Sequence, residues 1–552
     1  MSSGEQGTNG VSATDQAASG RRIVQGRSIR WDQARADAAY KDGWWVKETL
    51  ADTLRQAVAE NPTRVIVSEG EVHLDAQTLL SRATTLAHSL LARMPVGSVI
   101  SFMLPNWYEA AEIYLGATLA GMVANPVLPS LRDHDLGFLL KDVDSRMIFI
   151  PESFRKHDYA AMLSRVQAAL DNPPEVVVLR GDAGPHTAYP SLFETVAPRD
   201  LPVVDSEAVR MIMYTSGTTG SPKGVLHTHN SLHALIRQIG QHWHVVPGDR
   251  FLVPSPISHI GGSIYAFEMP LLLGTSVILM DQWYPDEGVK IMIDRKVTHL
   301  AGATPFLEQL LSAAKAADTI LPDLKVFICG GASVPPSIIR EASAYLTSTA
   351  VTRVYGSTEV PVTTVGAPDR NDLDHAAETD GRIGIATVKI AADGEICARG
   401  PQMLVGYMHA DHEASVFDEE GYYRTGDTGR LVDGDYVVVE GRKKDIIIRF
   451  GENIAPKEIE DILIEHPGIA EIAIVGLPHE RTGEQACAVI VQGSEAAPDV
   501  KAILAYLDAK GVARFKIPER VELWPSLPKN DAGKVLKHKI RATLIAEAEA
   551  AG

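Results

Sequence analysis

Helix-like and strand-like patterns alternate along residues 50 to 200, and this alternation limits the fold more than any other feature of the sequence. "LADTLRQAVAENP" (50–62) spaces its apolar residues three and four apart and stops before Pro62, which predicts a helix. "RVIVSEGEVHL" (64–74) predicts two strands joined by a turn, and "WYEAAEIYLGATLAGMVANP" (107–126) predicts a helix followed by a strand. Such alternation predicts an α/β fold with mostly parallel sheets.

The 552 residues are too many for one ordinary domain, and the sequence changes character towards its C-terminal end. There, "GRKKDIIIRFGENIAPKEIEDILIEHPGIAEIAIVG" (441–476) predicts a strand, a glycine loop, a helix that begins at Pro456, and another strand. We therefore expect a large N-terminal domain of mixed, mostly parallel sheets with helices (29–441) and a small, mobile α+β C-terminal domain (442–552). Residues 1–28 are polar and rich in Gly, Ser and Gln, which predicts a disordered tail.

Composition argues against several classes of protein. The formal net charge of −18 makes non-specific nucleic-acid binding unfavourable, so an anionic ligand must be held by local donors. The three cysteines, Cys329, Cys397 and Cys487, lie far apart without zinc spacing, which favours a reducing cytoplasm. We find no signal peptide, and "MPLLLGTSVILM" (269–280) is too short to span a bilayer. This stretch is predicted to form a buried strand pair.

A loop rich in glycine and hydroxyl residues follows a predicted buried strand, "VRMIMYT" (209–215). The loop, "TSGTTGSPKG" (215–224), leads into a second predicted strand and then into a helix with an Asn/Ser cap. Gly, Ser and Thr are ordinary loop residues, but their N–H groups and hydroxyls, with Lys223 as a point charge, can also bind phosphate. The loop is not a Walker A motif, because Pro222 precedes Lys223 and no helix follows at once. Its composition alone leaves both interpretations open.

Further segments follow this loop in an order that resembles the motifs of the adenylate-forming superfamily. That superfamily includes acyl-CoA synthetases, luciferases and the adenylation domains of peptide synthetases. The matching segments are "TSGTTGSPKG" (215–224), "PISH" (256–259), "GGA" (330–332), "YGSTE" (355–359), "YYRTGD" (422–427), "GRKKDIIIRFGENIAPKEIE" (441–460) and "PKNDAGK" (528–534). The resemblance extends from about residue 45 to residue 545, and it favours a loop that orients the β- and γ-phosphates of ATP.

The resemblance implies a two-step reaction. A carboxylate attacks the α-phosphorus of ATP, giving an acyl-adenylate and pyrophosphate, and a thiol then displaces AMP. It implies catalytic roles for four residues: Lys534, Glu359, Thr215 and His259. Glu359 is also the implied ligand of Mg²⁺. The residues implied to bind ATP or coenzyme A are Thr215, Ser216, Gly217, Thr218, Thr219, Gly220, Lys223, Gly330, Gly331, Ala332, Tyr355, Gly356, Thr358, Asp427, Arg442, Lys444, Gly451 and Lys534.

Several of these roles have a plainer alternative; Glu359, for example, could be a solvated acid. Tyr355 would stack on adenine, but it could also be a core tyrosine beside a turn. Asp427 would bind the ribose hydroxyls, but "RTGDTG" could also be a tight polar turn. Lys534 would contact the carboxylate and the α-phosphate, but a lysine near the C-terminus is usually solvated.

The segment "GRKKD" (441–445) resembles the hinge about which the small domain of this superfamily turns between the two half-reactions. The hinge position corresponds to Lys444, whose alternative is a surface lysine among basic neighbours. After the turn, Gly451 and its neighbours would line the tunnel for the thiol. The sequence departs from the common pattern here, because Phe450 occupies the place of a glycine.

The acid is expected to be aliphatic or alicyclic. Peptide-synthetase adenylation domains carry an Asp for the substrate ammonium in the segment occupied here by "PISHIGG", where this chain has His259. An ammonium buried there would lack a partner, which disfavours amino acids. "VANPVLPSLRDHDLGFLL" (123–140) and "ETDGRIG" (378–384) resemble fatty-acyl and cyclohexanecarboxylate CoA ligases.

Coenzyme A is the expected acceptor, because we find no carrier domain after the last motif. The alternatives are a freestanding ligase that loads a carrier protein and, more remotely, a non-catalytic protein that only retains AMP. The expected partners are thus the acid, ATP and coenzyme A, with no nucleic acid and no membrane span. The expected assembly is a monomer or a homodimer.

Overall fold

The computed structural model describes residues 20–194, 196–215, 222–331, 334–449, 452–479, 481–530 and 533–551. Contacts between residues divide the chain into two compact units. The first unit takes in the residues up to Arg237, Ile257–Leu279 and Pro401–Ser415. The second unit takes in Gln238–Pro256, Met280–Gly400 and the residues from Val416 onward.

The first unit contains a seven-stranded sheet. Every neighbouring pair in it is parallel except the last, which is antiparallel. In spatial order its strands are Thr187–Ala188, Glu175–Leu179, Ser145–Pro151, Val99–Phe102, Val123–Pro126, Val209–Thr215 and Lys223–Thr228. Val99–Phe102 and Val123–Pro126 are buried at every position, as expected for parallel strands covered on both faces.

A hairpin occupies the N-terminal end of the described chain. Its strands, Arg21–Val24 and Arg27–Arg30, pair antiparallel and bury Val24 and Ile29. The disordered tail predicted for residues 1–28 is therefore wrong in its last part, because these two apolar side chains join a hydrophobic cluster of the first unit. The first 19 residues of the predicted tail lie outside the described residues.

Helices in the first unit form where the sequence supplies a cap and an apolar face. In Leu50–Glu60, the Asp52 carboxylate accepts the Thr49 N–H in a capping box, and Leu54 and Ala57 are buried. The helices are Gln33–Lys41, Leu50–Glu60, Ala76–Arg93, Tyr108–Leu119, Asp133–Asp142, Tyr159–Ala168, Tyr189–Phe193, His229–His242 (which continues into the second unit), Ile260–Ser263, Ile264–Glu268, Met269–Leu272 and Ala410–Glu413. The remaining strands are Val65–Glu69, Val72–Asp75, Ser153–Phe154, His157–Asp158 and Ser276–Leu279.

The apolar stretch 269–280 forms a helical turn and a single strand. Met269–Leu272 is helical, and Ser276–Leu279 pairs in parallel with Val65–Glu69. The predicted strand pair is therefore wrong in its first half. Pro270 fits the first turn of a helix, where its missing N–H would have no partner in any case.

The second unit contains three groups of strands. Four parallel strands lie in the order Ala350–Val354, Val326–Gly330, His299–Gly302 and Arg250–Val253. A four-stranded antiparallel sheet has the order Thr387–Ile390, Glu395–Arg399, Tyr423–Val432 and Tyr436–Arg442. A five-stranded sheet comprises Glu452–Ile454, Ile447–Arg449, Gly483–Gln492, Ile469–His479 and Arg520–Leu523. The helices of the second unit are Pro285–Asp294, Thr304–Ala316, Pro336–Tyr345, Leu373–Glu378, Lys443–Asp445, Pro456–Leu463, Val500–Ala509, Arg514–Lys516 and Lys537–Ala551.

The C-terminal part of the chain has a hydrophobic core of its own. Two clusters of buried apolar side chains draw all their buried members from the segment between Ile447 and Leu544. The predicted fold class is confirmed: a large N-terminal α/β region of mostly parallel strands precedes a smaller α+β C-terminal domain. The boundary at residue 441 stays a prediction. No helix in the described part of the chain is both long and apolar enough to cross a bilayer.

Candidate functional site

The predicted phosphate loop joins two antiparallel strands of the first unit. Thr215 and Lys223 are paired across the ends of these strands. The Lys223 ammonium lies 5.7 Å from the centre of the Tyr407 ring. Outside the described residues lie the predicted loop residues Ser216, Gly217, Thr218, Thr219 and Gly220.

His259 lies in the first unit at the start of a short helical segment. It is the N-cap residue of Ile260–Ser263, with φ −100° and ψ 150°. The chain continues as a single π-helical turn, Ile264–Glu268, a conformation that is frequent at functional sites. A helix therefore begins directly after His259, and Gly262 and Ile264 are both buried.

Two neighbouring parallel strands of the second unit, Val326–Gly330 and Ala350–Val354, end at the same edge. Gly330 is required there, because a Cβ would lie 2.8 Å from a carbonyl oxygen of the neighbouring strand. Gly331 has φ +83°, a conformation that favours glycine. The predicted adenine segment therefore lies at the carboxyl ends of parallel strands, where α/β folds commonly bind ligands. Ala332 lies outside the described residues.

Tyr355 follows Ala350–Val354 directly and is held in place by Thr364. Its N–H donates to the Thr364 hydroxyl over 2.7 Å, and its carbonyl oxygen accepts the Thr364 N–H over 3.0 Å. The phenol of Tyr355 donates to Asp427 Oδ2 over 2.8 Å. Burial of this hydroxyl, with the Asp427 carboxylate beside it, raises the pKa of Tyr355 well above its usual range. The phenol is therefore a neutral hydrogen-bond donor at physiological pH.

Asp427 lies on Tyr423–Val432, directly opposite Arg442 on the next strand. The Arg442 Nε atom is 3.1 Å from Asp427 Oδ1, and Asp427 is 8% exposed. A carboxylate offers about four acceptor positions, so Asp427 can accept two ribose hydroxyls in addition to Tyr355 and Arg442. The residue predicted to bind ribose is thus buried and oriented by its partners.

Lys534 is fixed by its own loop. The Asn530 side chain accepts the Lys534 N–H over 2.8 Å, and the Asn530 N–H donates to the Lys534 carbonyl over 2.9 Å. Gly533 has φ +79°, so the turn before the lysine requires glycine. The loop therefore holds the Lys534 backbone and leaves the long side chain to project.

The electrostatic surroundings of Lys534 connect it to the ribose residues. Burial lowers its pKa from the usual 10.5 to about 8. Arg442 and Lys444 lower this pKa further, and Asp427 and Asp445 raise it. The amine therefore lies within electrostatic reach of both members of the Asp427–Arg442 pair.

Thr358 and Glu359 lie in the turn after Tyr355. Gly356 is required at its start, because a Cβ would lie 2.7 Å from the Val362 nitrogen. Glu359 is 8% exposed. Among the residues that the structure describes, no three His, Cys, Asp or Glu side chains form a metal site. Mg²⁺ is commonly held by one or two carboxylates together with substrate phosphates, so a single buried carboxylate fits the predicted metal role.

The predicted hinge is a short exposed turn. Lys443–Asp445 is a single 3-10 turn in which no residue is buried, between Tyr436–Arg442 and Ile447–Arg449. Lys444 is exposed within it. Phe450 and Gly451, which concern the predicted thiol tunnel, lie outside the described residues.

The structure thus places the predicted residues in two sets. The second unit brings together Tyr355, Asp427, Arg442 and Lys534, which lie far apart in the sequence. The first unit contains Thr215, Lys223 and His259. The functional roles of all these residues remain predictions.

Three supporting residues were not found from the sequence. Glu395 accepts the Gly426 N–H on Oε1 over 3.0 Å and so holds the turn that carries Asp427. Thr364 holds Tyr355, and Asp380 joins Thr364 to the strand that ends at Arg442. The one signal in the sequence is that Glu395 begins a strand in which the next three residues, "ICA", are apolar. The partners of Thr364 and Asp380 are distant in sequence and follow no spacing rule.

Comparison with known proteins identifies two matching family models. Residues 54–408 match the AMP-binding enzyme model, and residues 458–534 match the model of the AMP-binding enzyme C-terminal domain.

Individual relatives match over nearly the whole chain. A medium-chain fatty-acid–CoA ligase of Escherichia coli (strain K12) is 30% identical over 538 residues, which cover 94% of this chain and 94% of that protein. A 2,3-dihydroxybenzoate-AMP ligase of Bacillus subtilis (strain 168) is 30% identical over 536 residues, covering 93% of this chain and 97% of that protein. Among solved structures, ATP-bound MatB from Rhodopseudomonas palustris is similar with a TM-score of 0.80 and 26% identity, covering 90% of this chain and 99% of that one.

Proposed function

The chain belongs to the family of AMP-binding enzymes, and we propose that it is an ATP-dependent carboxylic acid–CoA ligase acting on an aliphatic or alicyclic acid. The enzyme class, an AMP-forming acid–thiol ligase, follows from the family and from its CoA-ligase relatives. The acid and the acceptor are the parts that we propose.

The observation that carries the proposal is the cluster around Asp427. A neutral tyrosine, a buried carboxylate, an arginine and a partly buried lysine converge there from four separate segments. Tyr355 presents an aromatic face for adenine, and Asp427 accepts the ribose hydroxyls. Arg442 and Lys534 supply positive charge for the phosphate and for the reacting carboxylate.

In the first half-reaction, a carboxylate oxygen of the acid bonds to the α-phosphorus of ATP, and the bond to the β-phosphate oxygen breaks to release pyrophosphate. Lys534 stabilises the negative charge that builds up on the α-phosphate and carboxylate oxygens. Thr215 and Lys223 bind the departing phosphates. Glu359 would hold Mg²⁺, which neutralises phosphate charge when it is bound.

In the second half-reaction, the thiol loses its proton to solvent and its sulphur bonds to the acyl carbon of the adenylate. The bond between the acyl carbon and the phosphate oxygen breaks, and AMP leaves. The lysine loop has no part in this step, so we propose that a turn at Lys444 moves it away. His259 stands before the helical segment that we assign to the acyl group, and it would control access to the acyl carbon.

The proposed acid follows from what the acyl segment lacks. The segment from His259 to Glu268 contains only one acidic residue, Glu268, and its carboxylate already pairs with Arg210. The charge of that carboxylate is thus already balanced by Arg210, so a substrate ammonium would meet no unpaired negative charge in this segment, which disfavours amino acids. The fatty-acid–CoA ligase named above supports an aliphatic acid, and the 2,3-dihydroxybenzoate-AMP ligase makes an aromatic acid the principal alternative.

We propose coenzyme A as the acceptor and the cytoplasm as the location. The E. coli relative is a CoA ligase, and Cys329, Cys397 and Cys487 are all buried free thiols, as is usual in a reducing compartment. A carrier protein with a phosphopantetheine arm presents the same thiol and is the alternative acceptor.

The test is a panel of acids assayed for AMP release with either acceptor. Hexanoate, octanoate, cyclohexanecarboxylate, benzoate, acetate and glycine would each be offered with ATP and Mg²⁺, and with coenzyme A or a holo-carrier protein. We expect the highest kcat/KM for an apolar acid of six or more carbons with coenzyme A. A preference for benzoate would show that the substrate is an aromatic acid. A preference for the carrier protein would show that the acceptor is a carrier protein instead of coenzyme A. Pyrophosphate exchange with none of the acids would reject the proposal.

A further inference from the structure

Asp380 touches three segments that surround the proposed nucleoside site, although no site role was predicted for it from the sequence. It is 8% exposed. Its Oδ1 atom accepts from the Arg353 guanidinium over 2.5 Å, and its Oδ2 atom accepts the Val439 N–H over 2.8 Å. Arg353 is itself buried and also donates to the Ala377 carbonyl over 2.7 Å. A buried carboxylate with both oxygens hydrogen-bonded holds the groups that it contacts in place.

One arm of these contacts leads to Tyr355. The Thr364 hydroxyl donates to the Asp380 carbonyl oxygen, and the same hydroxyl accepts the Tyr355 N–H over 2.7 Å. The Thr364 N–H returns to the Tyr355 carbonyl over 3.0 Å. Thr364 is completely buried, so no water competes for these bonds. Asp380 therefore holds the main chain of Tyr355 through a single intermediate residue.

The other arm leads to Asp427. The Asp380 N–H donates to the Val437 carbonyl over 2.7 Å, so Asp380 binds Tyr436–Arg442 at two points, Val437 and Val439. This strand ends at Arg442, which lies opposite Asp427 and contacts it over 3.1 Å.

The Tyr355 phenol, which donates to Asp427 over 2.8 Å, closes a ring of hydrogen bonds. In order, the ring runs through Tyr355, Thr364, Asp380, Tyr436–Arg442 and Asp427. Each member is hydrogen-bonded to the member before it and to the member after it. A displacement of Asp380 should therefore move Tyr355 relative to Asp427.

We propose that Asp380 is a positioning residue that sets the distance between the adenine-binding face of Tyr355 and the ribose-binding carboxylate of Asp427. The inference rests on the proposed function, because it takes these two residues as the nucleoside contacts. We assign Asp380 no contact with the base or the ribose. It acts through Thr364 on one side and through Tyr436–Arg442 on the other.

The physical consequence concerns the ribose hydroxyls. A hydrogen bond from a hydroxyl to a carboxylate contributes only when the geometry is maintained, and a displacement of about 1 Å is enough to lose most of it. An enzyme whose carboxylate accepts a hydrogen bond from the 2′-hydroxyl should have a kcat/KM for ATP about ten-fold or more above that for 2′-deoxy-ATP, as expected for a charged hydrogen bond. Loosening the ring should reduce this preference.

The experiment compares the two nucleotides in full-length Asp380→Asn and wild-type enzyme. The amide keeps the shape and can still accept the Val439 N–H, but it loses the charge that binds Arg353. We expect kcat/KM for ATP to fall by about ten-fold, since one charge-assisted hydrogen bond is weakened, and the preference for ATP over 2′-deoxy-ATP to fall with it. The KM for the acid should be unchanged, because no acid contact is assigned to the ring.

A second pair of variants covers the case in which Asp380→Asn does not fold. Thr364→Val removes the hydroxyl at constant shape and should reproduce the loss of nucleotide preference, whereas Thr364→Ser should retain it. Asp435→Asn is the matched control, because Asp435 lies at the surface and its carboxylate pairs with the exposed Arg382, which is outside the ring. This control should behave as wild type.

Two results would overturn the inference. If Asp380→Asn and Thr364→Val lower activity but keep the wild-type preference for ATP over 2′-deoxy-ATP, the ring is structural and does not position the nucleoside. If wild type itself uses both nucleotides equally, the ribose role of Asp427 fails, and the inference fails with it. The panel of acids tests the proposed function independently, so the two failures can be told apart.

Discussion

Lys534 must carry its proton to stabilise negative oxygens, and its surroundings make that proton unusually easy to lose. Because burial lowers its pKa to about 8, the charged fraction is nearly complete below pH 7 and declines as the pH rises through 8. We therefore expect kcat/KM for adenylation, measured by pyrophosphate exchange, to fall above pH 8 with a slope of one. An ordinary lysine would keep its charge until pH 10.

The control for this pH dependence is Lys534→Ala. It should lower adenylation by about 10²–10³-fold, the usual effect of removing one stabilising donor, and abolish the decline above pH 8. Thioester formation from preformed acyl-adenylate should change much less. Two results for Lys534→Ala would contradict the proposed role of Lys534: equal losses of rate in both half-reactions, or a decline of adenylation above pH 8 that is the same as in wild type.

A second feature at the residue scale is a buried ion pair in the first unit. The Arg210 guanidinium lies 2.7 Å from Glu268, and the two side chains are 2% and 1% exposed. The Tyr114 hydroxyl donates to the same carboxylate oxygen. The pair ties Val209–Thr215, which ends at the phosphate loop, to the π-helical turn after His259. It therefore joins, within one unit, two segments for which we propose functional roles.

Removing one member of this pair should destabilise the protein strongly. Arg210→Ala leaves the Glu268 carboxylate buried without its counter-charge, and we expect a loss of about 3–5 kcal/mol. Arg210→Met combined with Glu268→Leu removes both charges and should cost much less. The measurement is the midpoint of the first unfolding transition in urea. A single variant that unfolds at the wild-type midpoint would show that the pair contributes no stability.

At the scale of elements, the turn Lys443–Asp445 is the predicted hinge. Lys444→Pro fixes φ near −65° and should restrict rotation there. We expect pyrophosphate exchange with the acid to survive, because the lysine loop already lies beside Asp427 and Arg442 in this structure. Thioester formation should be strongly impaired.

The matched control for the hinge is Lys443→Pro, one residue earlier in the same turn. If that variant has the same effect as Lys444→Pro, or if both half-reactions fall together, rotation is not centred on Lys444. Separate assays of pyrophosphate exchange and of single-turnover thioester formation distinguish these results.

The helical segment after His259 gives a prediction about the acid. Gly262 is buried within Ile260–Ser263, and a leucine there would occupy volume that we assign to the acyl group. Each methylene that the pocket accepts should improve binding by up to about 0.8 kcal/mol. Gly262→Leu should therefore shift preference towards shorter acids at nearly constant ATP affinity, in a series from butanoate to decanoate. A variant that keeps the wild-type order of acids would contradict this assignment.

At the scale of the whole molecule, the proposed boundary of the C-terminal domain after residue 441 can be tested by limited proteolysis. The exposed turn Lys443–Asp445 follows Arg442, so three trypsin sites lie in a row at the proposed boundary. We expect the first cleavage of the native enzyme after one of these residues, leaving a C-terminal fragment of about 110 residues, close to the usual size of a compact domain. Mass spectrometry of a short digest identifies the cut, and Lys443→Gln with Lys444→Gln should slow it. A first cut elsewhere would place the boundary differently.

The sequence by itself determined the elements whose patterns are local. The helix at Leu50–Glu60, the hairpin at Val65–Glu69 and Val72–Asp75, and the strand at Val209–Thr215 follow from apolar spacing and turn residues. The structure of the apolar stretch 269–280 was not predicted correctly, because a short apolar run without clear periodicity is compatible with either a helix or a strand. The hairpin at residues 21–30 was missed, because its apolar residues are few and pack against distant parts of the chain.

The ordered motifs likewise identified the candidate nucleotide residues, because each motif is a short stretch of fixed residue types. Only the tertiary structure decided how they are held. Asp380, Thr364 and Glu395 act through main-chain N–H and C=O groups of distant segments, and every residue type except proline presents both groups. The lowered pKa of Lys534 is also a tertiary property, because it arises from burial and from charges that the fold alone brings near.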